Sequence, residues 1–187
     1  MCRGTACLAL HMKIKNDKKY HRRSIRLKGY DYSSLGGYFV TICAKNRRCL
    51  FGNIMNDRMV LNDAGMAAER CLRQIPEHYP DAIIGEHIIM PNHVHIIIMI
   101  NNNVGANNYS PLQKEKRSCG TSRTIGAIIR GYKIGVTKWM RKNMHIHDVW
   151  QRNYYEHIIR NDQELNLFRE YIVNNPKKWD LDSENRL

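Results

Sequence analysis

The sequence is poor in acidic residues, and it has no long apolar run. Of its 187 residues, 17 are Asp or Glu and 30 are Lys or Arg, so the formal net charge is +13 and the pI is near 9.6. This excess of cations favours a polyanionic partner, either nucleic acid or an anionic membrane surface. Because no stretch reaches the roughly 20 apolar residues that a membrane-spanning helix needs, we expect no membrane span.

The six cysteines lack the spacings that are typical of zinc or disulfide frameworks. None of them forms a C-x-x-C pair, and no Cys/His set has zinc-finger spacing. We also expect no secretory signal, because the apolar stretch near the start is shorter than an h-region of about 7–15 residues. These features together predict reduced thiols and a cytoplasmic protein.

The length and the 43% hydrophobic content favour one well-packed domain. We expect this domain over residues 22–180, with a short C-terminal tail over residues 181–187. Residues 1–21 are predicted to form a basic N-terminal extension that is disordered without its partner. Eight cations and one acid occur between residues 13 and 28. We call this stretch, residues 13–28, the basic arm. Its candidate DNA-binding residues are Arg22, Arg23, Arg26 and Lys28.

The hydrophobic pattern predicts an alternation of strands and helices. Strands are predicted at 38–43, 82–90, 93–100 and 149–159, with a hairpin over 51–61. Helices are predicted from residue 62 to about 73, from 121 onward and from 161 to about 174. Residues 101–120, rich in Asn, Gly, Ser and Lys, predict a loop. This order predicts an α+β fold, in which helices pack on a ferredoxin-like antiparallel sheet.

The predicted helix after residue 121 has one apolar face and one basic face. Apolar residues recur at helical spacing between positions 125 and 140, and Arg130 and Lys133 lie off this stripe. No acid occurs between Glu115 and Asp148, so the basic face is suited to lie along a phosphate backbone. A solvated lysine-rich face is the alternative. Arg130 and Lys133 are therefore candidate DNA-binding residues.

The H-x-H pattern at His93 and His95 is the sharpest local feature. Side chains alternate along a strand, so the two imidazoles lie on one face, about 7 Å apart, and can share one metal ion. A half-exposed polar face without a metal is the alternative. Two other folds that carry an H-x-H metal site fit this chain poorly. A (β/α)₈ barrel typically needs about 250 residues, and a jelly roll does not suit a chain with three predicted helices.

Tyr171 and Asn175 are spaced i, i+4 in the last predicted helix, so they share a face. A tyrosine with a pKa near 10 is a poor nucleophile, but an opposing metal ion favours its deprotonated form. The Asn175 amide oxygen is an acceptable hard ligand for Mg²⁺ or Mn²⁺. We expect Pro176 to move Asn175 out of helical geometry. On these residues alone, a core tyrosine and a helix-capping asparagine remain the alternative.

Several separated motifs, in order, resemble those of the REP-associated tyrosine transposases. This family belongs to the single-tyrosine HUH transposases and is related to the insertion-sequence transposases. The resemblance extends from about Arg22 to Trp179. Its motifs are RSIRLKGYDY at 23–32, GYFVT at 37–41, PNHVH at 91–95, VWQRNYYEHIIR at 149–160 and YIVNNP at 171–176.

The resemblance implies a metal-dependent single-stranded DNA endonuclease and strand transferase that acts on hairpin or palindromic DNA. It implies that His93, His95 and Asn175 hold one divalent cation, Mg²⁺ or Mn²⁺. Tyr171 is then the catalytic residue, and its attack on the scissile phosphate gives a 5′-phosphotyrosine and a free 3′-OH. Although Tyr154 and Tyr155 are nearby candidates, only Tyr171 has an asparagine four residues later.

Two alternatives to this function remain at the level of the sequence. A nucleic-acid-binding protein of the same fold could have kept the basic surface and lost catalysis. A relaxase or replication-initiation enzyme with an HUH motif usually needs a larger chain or additional domains. The expected partner is single-stranded or hairpin DNA, or DNA or RNA for the binding-protein alternative, and not a membrane. The sequence leaves open whether the chain forms a homodimer.

Overall fold

A computed structural model describes residues 36–101, 124–182 and 185. Those residues form a four-stranded sheet, a separate two-stranded hairpin and helices packed against them. The predictions for the extension over residues 1–21, for the basic arm (Arg22, Arg23, Arg26 and Lys28) and for nearly all of the loop over residues 101–120 lie outside the described residues. Within the described part of the chain, no helix is long and apolar enough to cross a membrane.

Apart from one added short helix, the strands and helices follow the order that the sequence predicts. The strands are β1 (Gly36–Cys43), β2 (Gly52–Met55), β3 (Arg58–Leu61), β4 (Ala82–Ile89), β5 (His93–Ile100) and β6 (Tyr155–Ile159). The α-helices are α1 (Asp63–Arg73), α2 (Ile75–His78), α3 (Ile125–Met144) and α4 (Asp162–Asn174). Short 3₁₀ turns cover Lys45–Arg47 and Pro176–Leu181.

The main sheet has the strand order β4-β5-β1-β6, and every neighbouring pair is antiparallel. Without the β2-β3 hairpin, the chain order is β1-α1-β4-β5-α3-β6, which is the split arrangement of ferredoxin-like folds. The predicted α+β class, with helices on an antiparallel sheet, is therefore confirmed. The register between β1 and β5 places Thr41 opposite His95 and Cys43 opposite His93.

The two faces of the sheet carry different helices. His87 of β4 lies opposite Ile96, and its side chain reaches Glu69 of α1. The residues one position away point to the other face, because side chains alternate along a strand. On that face His95 meets Tyr171 of α4. The sheet is thus covered by α1 and its neighbour α3 on one side and by α4 on the other.

Asparagine and threonine side chains begin the long helices. Asn62 accepts a hydrogen bond from the backbone N–H of Gly65, and Asn161 accepts one from Glu164. Thr124 accepts one from Ala127 at the start of α3. Each side chain satisfies a backbone donor that the first helical turn leaves without an intrahelical partner. These caps explain why the predicted starts of α1 and α4 agree with the structure.

The strand predicted at 149–159 is wrong in its first half, because β6 covers only Tyr155–Ile159. Trp150 makes a single isolated bridge to Ala44, and its indole N–H donates to the carbonyl of Lys133. The Lys133 ammonium in turn donates to the carbonyls of Gln151 and Asn153. The Trp150 indole and the carbonyls of Gln151 and Asn153 bond to α3 instead of to a strand, so the segment just before β6 packs against α3.

Candidate metal and tyrosine site

The histidine pair lies at the start of β5, in the interior of the protein. His93 is completely buried, His95 is 2% exposed, and their ring centroids are 4.4 Å apart. The two histidines are held in β5 because the β-branched residues Ile96 to Ile98, which follow them, favour a strand and are buried in the core. Two buried imidazoles on one strand face are therefore brought close enough to act on one ligand.

Each histidine is oriented through its Nδ1 atom. The side-chain oxygen of Asn92 lies 2.8 Å from Nδ1 of His93, and the Thr41 hydroxyl oxygen lies 2.8 Å from Nδ1 of His95. An amide oxygen can only accept, so His93 donates its Nδ1 proton and keeps a lone pair on Nε2. Such partners fix the tautomer and the ring direction of metal-binding histidines.

Burial keeps both histidines neutral. Burial, with a smaller contribution from the nearby charge of Arg47, lowers the pKa of His93 to about 3. Burial also lowers the pKa of His95 well below its usual value, and the charge of His93 acts in the same direction. A metal ion binds the neutral imidazole, so the protein holds both side chains in their ligand form.

Tyr171 lies on the last turn of α4, directly over the histidine pair. Its hydroxyl oxygen is 3.4 Å from Nε2 of His95, and the two rings meet edge to face with centroids 5.1 Å apart. The side chain is 40% exposed. The tyrosine oxygen is thus next to the histidines, and part of the Tyr171 side chain is open to solvent.

Phe39 of β1 connects the tyrosine to the sheet. Its ring stacks on Phe168 at a centroid distance of 4.3 Å and on His95 at 5.3 Å. It also meets the edge of Tyr171 at 5.9 Å. Because Phe168 and Tyr171 are one turn apart on α4, this aromatic cluster fixes the last two turns of α4 relative to His95.

Asn175 directly follows α4, one turn after Tyr171, and it is 2% exposed. Its side-chain oxygen is buried and has no hydrogen-bond partner among the described residues. The prediction that Pro176 moves Asn175 out of helical geometry is wrong, because Asn175 has φ −60° and ψ −42°. Pro176 begins a 3₁₀ turn instead, and proline is well tolerated at the first position of a helical segment.

Asp182 is a site residue that the sequence patterns do not indicate. The 3₁₀ turn after Asn175 brings Asp182 Oδ2 to 3.8 Å from His93 Nε2, and Trp179 lies against the same ring at a centroid distance of 6.0 Å. Ligand atoms of His93, His95 and Asp182 all lie within 4.8 Å of one another, so this group could hold a metal ion. No motif marks this aspartate, and only the tertiary structure brings it to the histidines.

The residues present fit a divalent cation. Nε2 of His93 and Oδ1 of Asn175 are buried polar atoms without a hydrogen-bond partner among the described residues. Leaving such atoms unbonded is costly, so their presence in a folded core points to a missing ligand. Imidazole nitrogens together with amide and carboxylate oxygens suit Mn²⁺ and Mg²⁺ better than soft metals.

The structure separates the predicted DNA-binding residues of α3 from this site. Arg130 is exposed on α3, on the side of the sheet opposite α4. The Lys133 ammonium donates to two backbone carbonyls, and burial lowers its pKa to about 8. Its charge is therefore used within the protein. The structure thus brings together His93, His95 and Tyr171, with Asn175 one turn away, but places Arg130 and Lys133 elsewhere.

Comparison with known proteins gives related sequences but no family model that matches. A Haemophilus influenzae protein described as uncharacterized is 52% identical over 166 residues, 87% of this chain and 92% of that protein. Another H. influenzae protein, described as a REP-associated tyrosine transposase, is 26% identical over 148 residues, 79% of this chain and 74% of that protein.

The chain is also similar in fold to a solved structure of a REP-associated tyrosine transposase bound to a REP hairpin. The TM-score is 0.52 at 22% identity, over 87% of this chain and 74% of the other. This likeness shows a shared fold. The curated relative carries the same family description, and the motifs in the sequence indicate that family independently. The chain is therefore similar in sequence and in fold to the REP-associated tyrosine transposases.

Proposed function

We propose that this protein is a metal-dependent single-stranded DNA endonuclease and strand transferase, with Tyr171 as its nucleophile. The observation that carries the proposal is the 3.4 Å distance between the Tyr171 hydroxyl oxygen and Nε2 of His95. A core tyrosine would be buried, but Tyr171 is 40% exposed at a pair of deeply buried imidazoles. A partly exposed tyrosine beside candidate metal ligands is the arrangement that covalent phosphoryl transfer needs.

His93, His95 and Asn175 are the proposed metal ligands, and Asp182 is close enough to join them. A bound Mg²⁺ or Mn²⁺ ion would supply a Lewis acid that polarises the scissile phosphate. Thr41 and Asn92 hold the two imidazoles in their ligand tautomers through the Nδ1 contacts. Phe39 holds Tyr171 at the site through its edge contact with that ring.

In the proposed step the phenolic oxygen of Tyr171 forms a bond to phosphorus, and the bond from phosphorus to the 3′ oxygen breaks. The phenol gives its proton to solvent, and the leaving oxygen takes up a proton to become a free 3′-OH. The product is a 5′-phosphotyrosine. Attack on that bond by another 3′-OH releases Tyr171 and joins the strands, so no nucleotide cofactor is consumed.

The proposed substrate is single-stranded or hairpin DNA. The solved relative is described as bound to a REP hairpin, and the net charge of +13 on this chain suits a polyanion. The exposed Arg130 is a proposed backbone contact, together with the basic arm before residue 36. Because the Lys133 ammonium is bonded internally, we expect any contribution of this residue to DNA binding to be smaller than that of Arg130.

Formation of a covalent protein–DNA adduct tests the proposal directly. The protein is incubated with a REP-type hairpin carrying single-stranded flanks, with Mn²⁺ or Mg²⁺, and resolved on a denaturing gel. We expect an adduct from the wild type and none from Tyr171→Phe, which keeps the ring contacts and lacks the hydroxyl. Tyr155→Phe is the matched control, because Tyr155 is an exposed tyrosine on β6 and should still form the adduct.

The same experiment separates the proposed enzyme from a binding protein. Hairpin binding without an adduct under any divalent metal would favour a protein of this fold that has lost catalysis. An undiminished adduct in Tyr171→Phe would show that another residue is the nucleophile. Either result would contradict the proposed role of Tyr171.

A further inference from the structure

An open pocket lies between α4 and the edge strand β4, beside the candidate metal and tyrosine site. Its volume is about 550 Å³, within the range of pockets that bind small molecules. Ile88 in its wall is the register partner of His95, so the two side chains are neighbours on one face of the sheet. Ile172, in the opposite wall, directly follows Tyr171 on α4. The pocket therefore borders the residues that the proposed reaction uses.

A bulge in β4 brings Glu86 to this pocket. The pairing of β4 with β5 shifts between Ile84 and His87, so Gly85 and Glu86 together occupy the position opposite Ile97. An extra residue of this kind bends a strand and re-aims a side chain, and bulges are frequent next to active sites. In a regular strand Glu86 would point to the α1 face, because side chains alternate. The bulge places it on the α4 face instead, where it lines the pocket.

Glu86 forms an ion pair with Arg169 of α4 in the wall of the pocket. Oε1 of Glu86 lies 2.9 Å from Nε of Arg169. The second carboxylate oxygen, Oε2, is buried and has no hydrogen-bond partner among the described residues. A buried acceptor without a partner is costly, so Oε2 points to a donor that a bound molecule supplies. The Arg169 guanidinium has five N–H donors in all, more than its contacts with Glu86 and Asn166 use.

The other walls of the pocket are apolar and partly open to solvent. Ile83 of β4, Met99 of β5 and Val173 of α4 belong to them. Ile83 is 42% exposed and Val173 is 66% exposed. Apolar walls with one acceptor and one donor at their edge suit a flat heterocycle that has a polar edge. A phosphate group fits this lining poorly, because it needs several donors and would meet the Glu86 carboxylate.

We infer that this pocket binds one unpaired base of the DNA strand that Tyr171 attacks. The inference rests on the proposed function. Oε2 of Glu86 accepts from the exocyclic amino group of the base, and Arg169 donates to the acceptor beside that group. Cytosine, adenine and guanine carry an amino group, and thymine does not. A base held here fixes the strand next to Tyr171, and it adds a sequence preference that contacts to phosphates alone do not give.

Binding of modified DNA tests the inference without cleavage. Tyr171→Phe protein is titrated with REP-type hairpins whose single-stranded flanks carry one abasic site at each position in turn. We expect affinity to fall by about 10–100-fold at one position, which is the usual effect of losing one specific base contact. At that position uracil should bind about 10-fold more weakly than cytosine, because uracil has a carbonyl oxygen in place of the amino group.

Two acid-to-alanine variants of the Tyr171→Phe protein separate base recognition from general electrostatics. Glu86→Ala and Glu77→Ala each remove one negative charge, and Glu77 is an exposed acid of α2 outside the pocket. Loss of an acid should by itself leave the affinity for DNA unchanged or raise it, because DNA is a polyanion. In Glu86→Ala we expect the opposite, a loss of about 10-fold on the cytosine flank and equal affinities for cytosine and uracil. Glu77→Ala should keep the preference for cytosine.

Val173→Trp is a second variant, which narrows the pocket from an exposed position and keeps Glu86 and Arg169. It should also lose the preference for cytosine, and melting temperatures show that each variant is folded. An abasic profile without a preferred position, or a cytosine preference that both pocket variants retain, would overturn the inference. A base preference without any adduct in the wild type would support the pocket and contradict the cleavage proposal. An adduct without a base preference would contradict the pocket alone.

Discussion

Histidines on the two faces of the sheet have opposite surroundings. On the face of α1, both ring nitrogens of His87 have partners, since Nε2 lies 3.1 Å from a Glu69 carboxylate oxygen and Nδ1 lies 3.0 Å from the Gly85 carbonyl. On the face of α4, Nε2 of His93 is buried without a hydrogen-bond partner among the described residues. One histidine is satisfied by the protein, whereas the other has an atom available for a ligand.

The protonation of the two histidines follows from this difference. The hydrogen bond to Glu69 raises the pKa of His87, which favours its charged form. Burial lowers the pKa of His93 to about 3, so this imidazole stays neutral. A charged histidine beside a carboxylate forms a structural ion pair, and a neutral one with a free lone pair is in the form that a metal ion binds. Burial and partners, rather than residue type, assign the two roles.

Replacement of one histidine on each face is the strongest test of this comparison. We expect His95→Ala to slow adduct formation by about 10³-fold or more, because groups that act as one catalytic unit lose most of their effect together. Isothermal titration calorimetry with Mn²⁺ should show that His95→Ala also loses metal binding. His87→Ala should bind Mn²⁺ as the wild type does and form the adduct, although its folded state is less stable.

The comparison would be contradicted if His87→Ala lost Mn²⁺ binding as fully as His95→Ala did. It would also be contradicted if Mn²⁺ raised the melting temperature of His95→Ala by as much as it raises that of the wild type. A ligand at 100 times its dissociation constant stabilises a folded protein by about 2.7 kcal/mol, so this shift is readily measured.

Two oxygen donors on the α4 face can be compared in the same way. Asn175 and Asp182 precede and follow the same 3₁₀ turn, and Asp182 approaches the histidine pair from it. Loss of a residue that only holds a metal ligand in place lowers metal affinity by about 10–100-fold. We expect Asn175→Ala to weaken Mn²⁺ binding by at least this much, and Asp182→Ala by a similar amount. Calorimetric titration of both variants measures the two effects.

Asp180 supplies the matched control for this pair. It is an acid of the same turn, but it does not belong to the group of residues that could hold a metal. Asp180→Ala should therefore bind Mn²⁺ as the wild type does. Unchanged affinity in Asp182→Ala would limit the ligand set to His93, His95 and Asn175.

Much of the fold follows from periodicity in the sequence. The two-residue alternation of strands and the three-to-four-residue spacing of helices are local, so the order of elements in the described chain agrees with the prediction. The proximity of His93 and His95 follows from the same alternation. The position of Tyr171 at this pair agrees with the family resemblance.

Other features depend on tertiary contacts that no local pattern indicates. Asp182 reaches His93 because Pro176 continues the helix instead of breaking it. Phe39 looks like an ordinary strand residue in the sequence, and its contact with Tyr171 appears only when α4 packs on β1. Lys133 reads as a solvent-facing cation, but its side chain reaches carbonyls about 20 residues later, at Gln151 and Asn153.

The hydroxyl of Thr41 provides a smaller test on the α4 face. Thr41→Val keeps the shape of the side chain and removes the 2.8 Å contact with Nδ1 of His95. We expect Mn²⁺ affinity to fall by about 10–100-fold, because the ring loses the partner that fixes its orientation. Thr137→Val on α3 makes the same chemical change on the other face and should leave affinity unchanged. Equal affinities in all three proteins would exclude an orienting role for Thr41.

The smallest expected effect concerns the ion pair on the α1 face and its dependence on pH. The pKa of His87 is raised above 6.5 by the bond to Glu69, so its contribution to stability is complete below about pH 6.5 and disappears as pH rises through the folded value. The pKa of Glu69 is lowered below 4.5 by the same bond, so its contribution is complete above about pH 4.5 and disappears as pH falls through the folded value.

The pair therefore stabilises the fold most between about pH 4.5 and 6.5. We expect Glu69→Gln to lower the free energy of unfolding by about 1 kcal/mol near pH 5.5, and by less near pH 9. Urea denaturation at the two pH values measures the difference. Glu86→Gln is the control, because Glu86 pairs with Arg169, whose charge does not change in this range. If Glu69→Gln destabilised the protein equally at both pH values, charge on His87 would not distinguish the two faces.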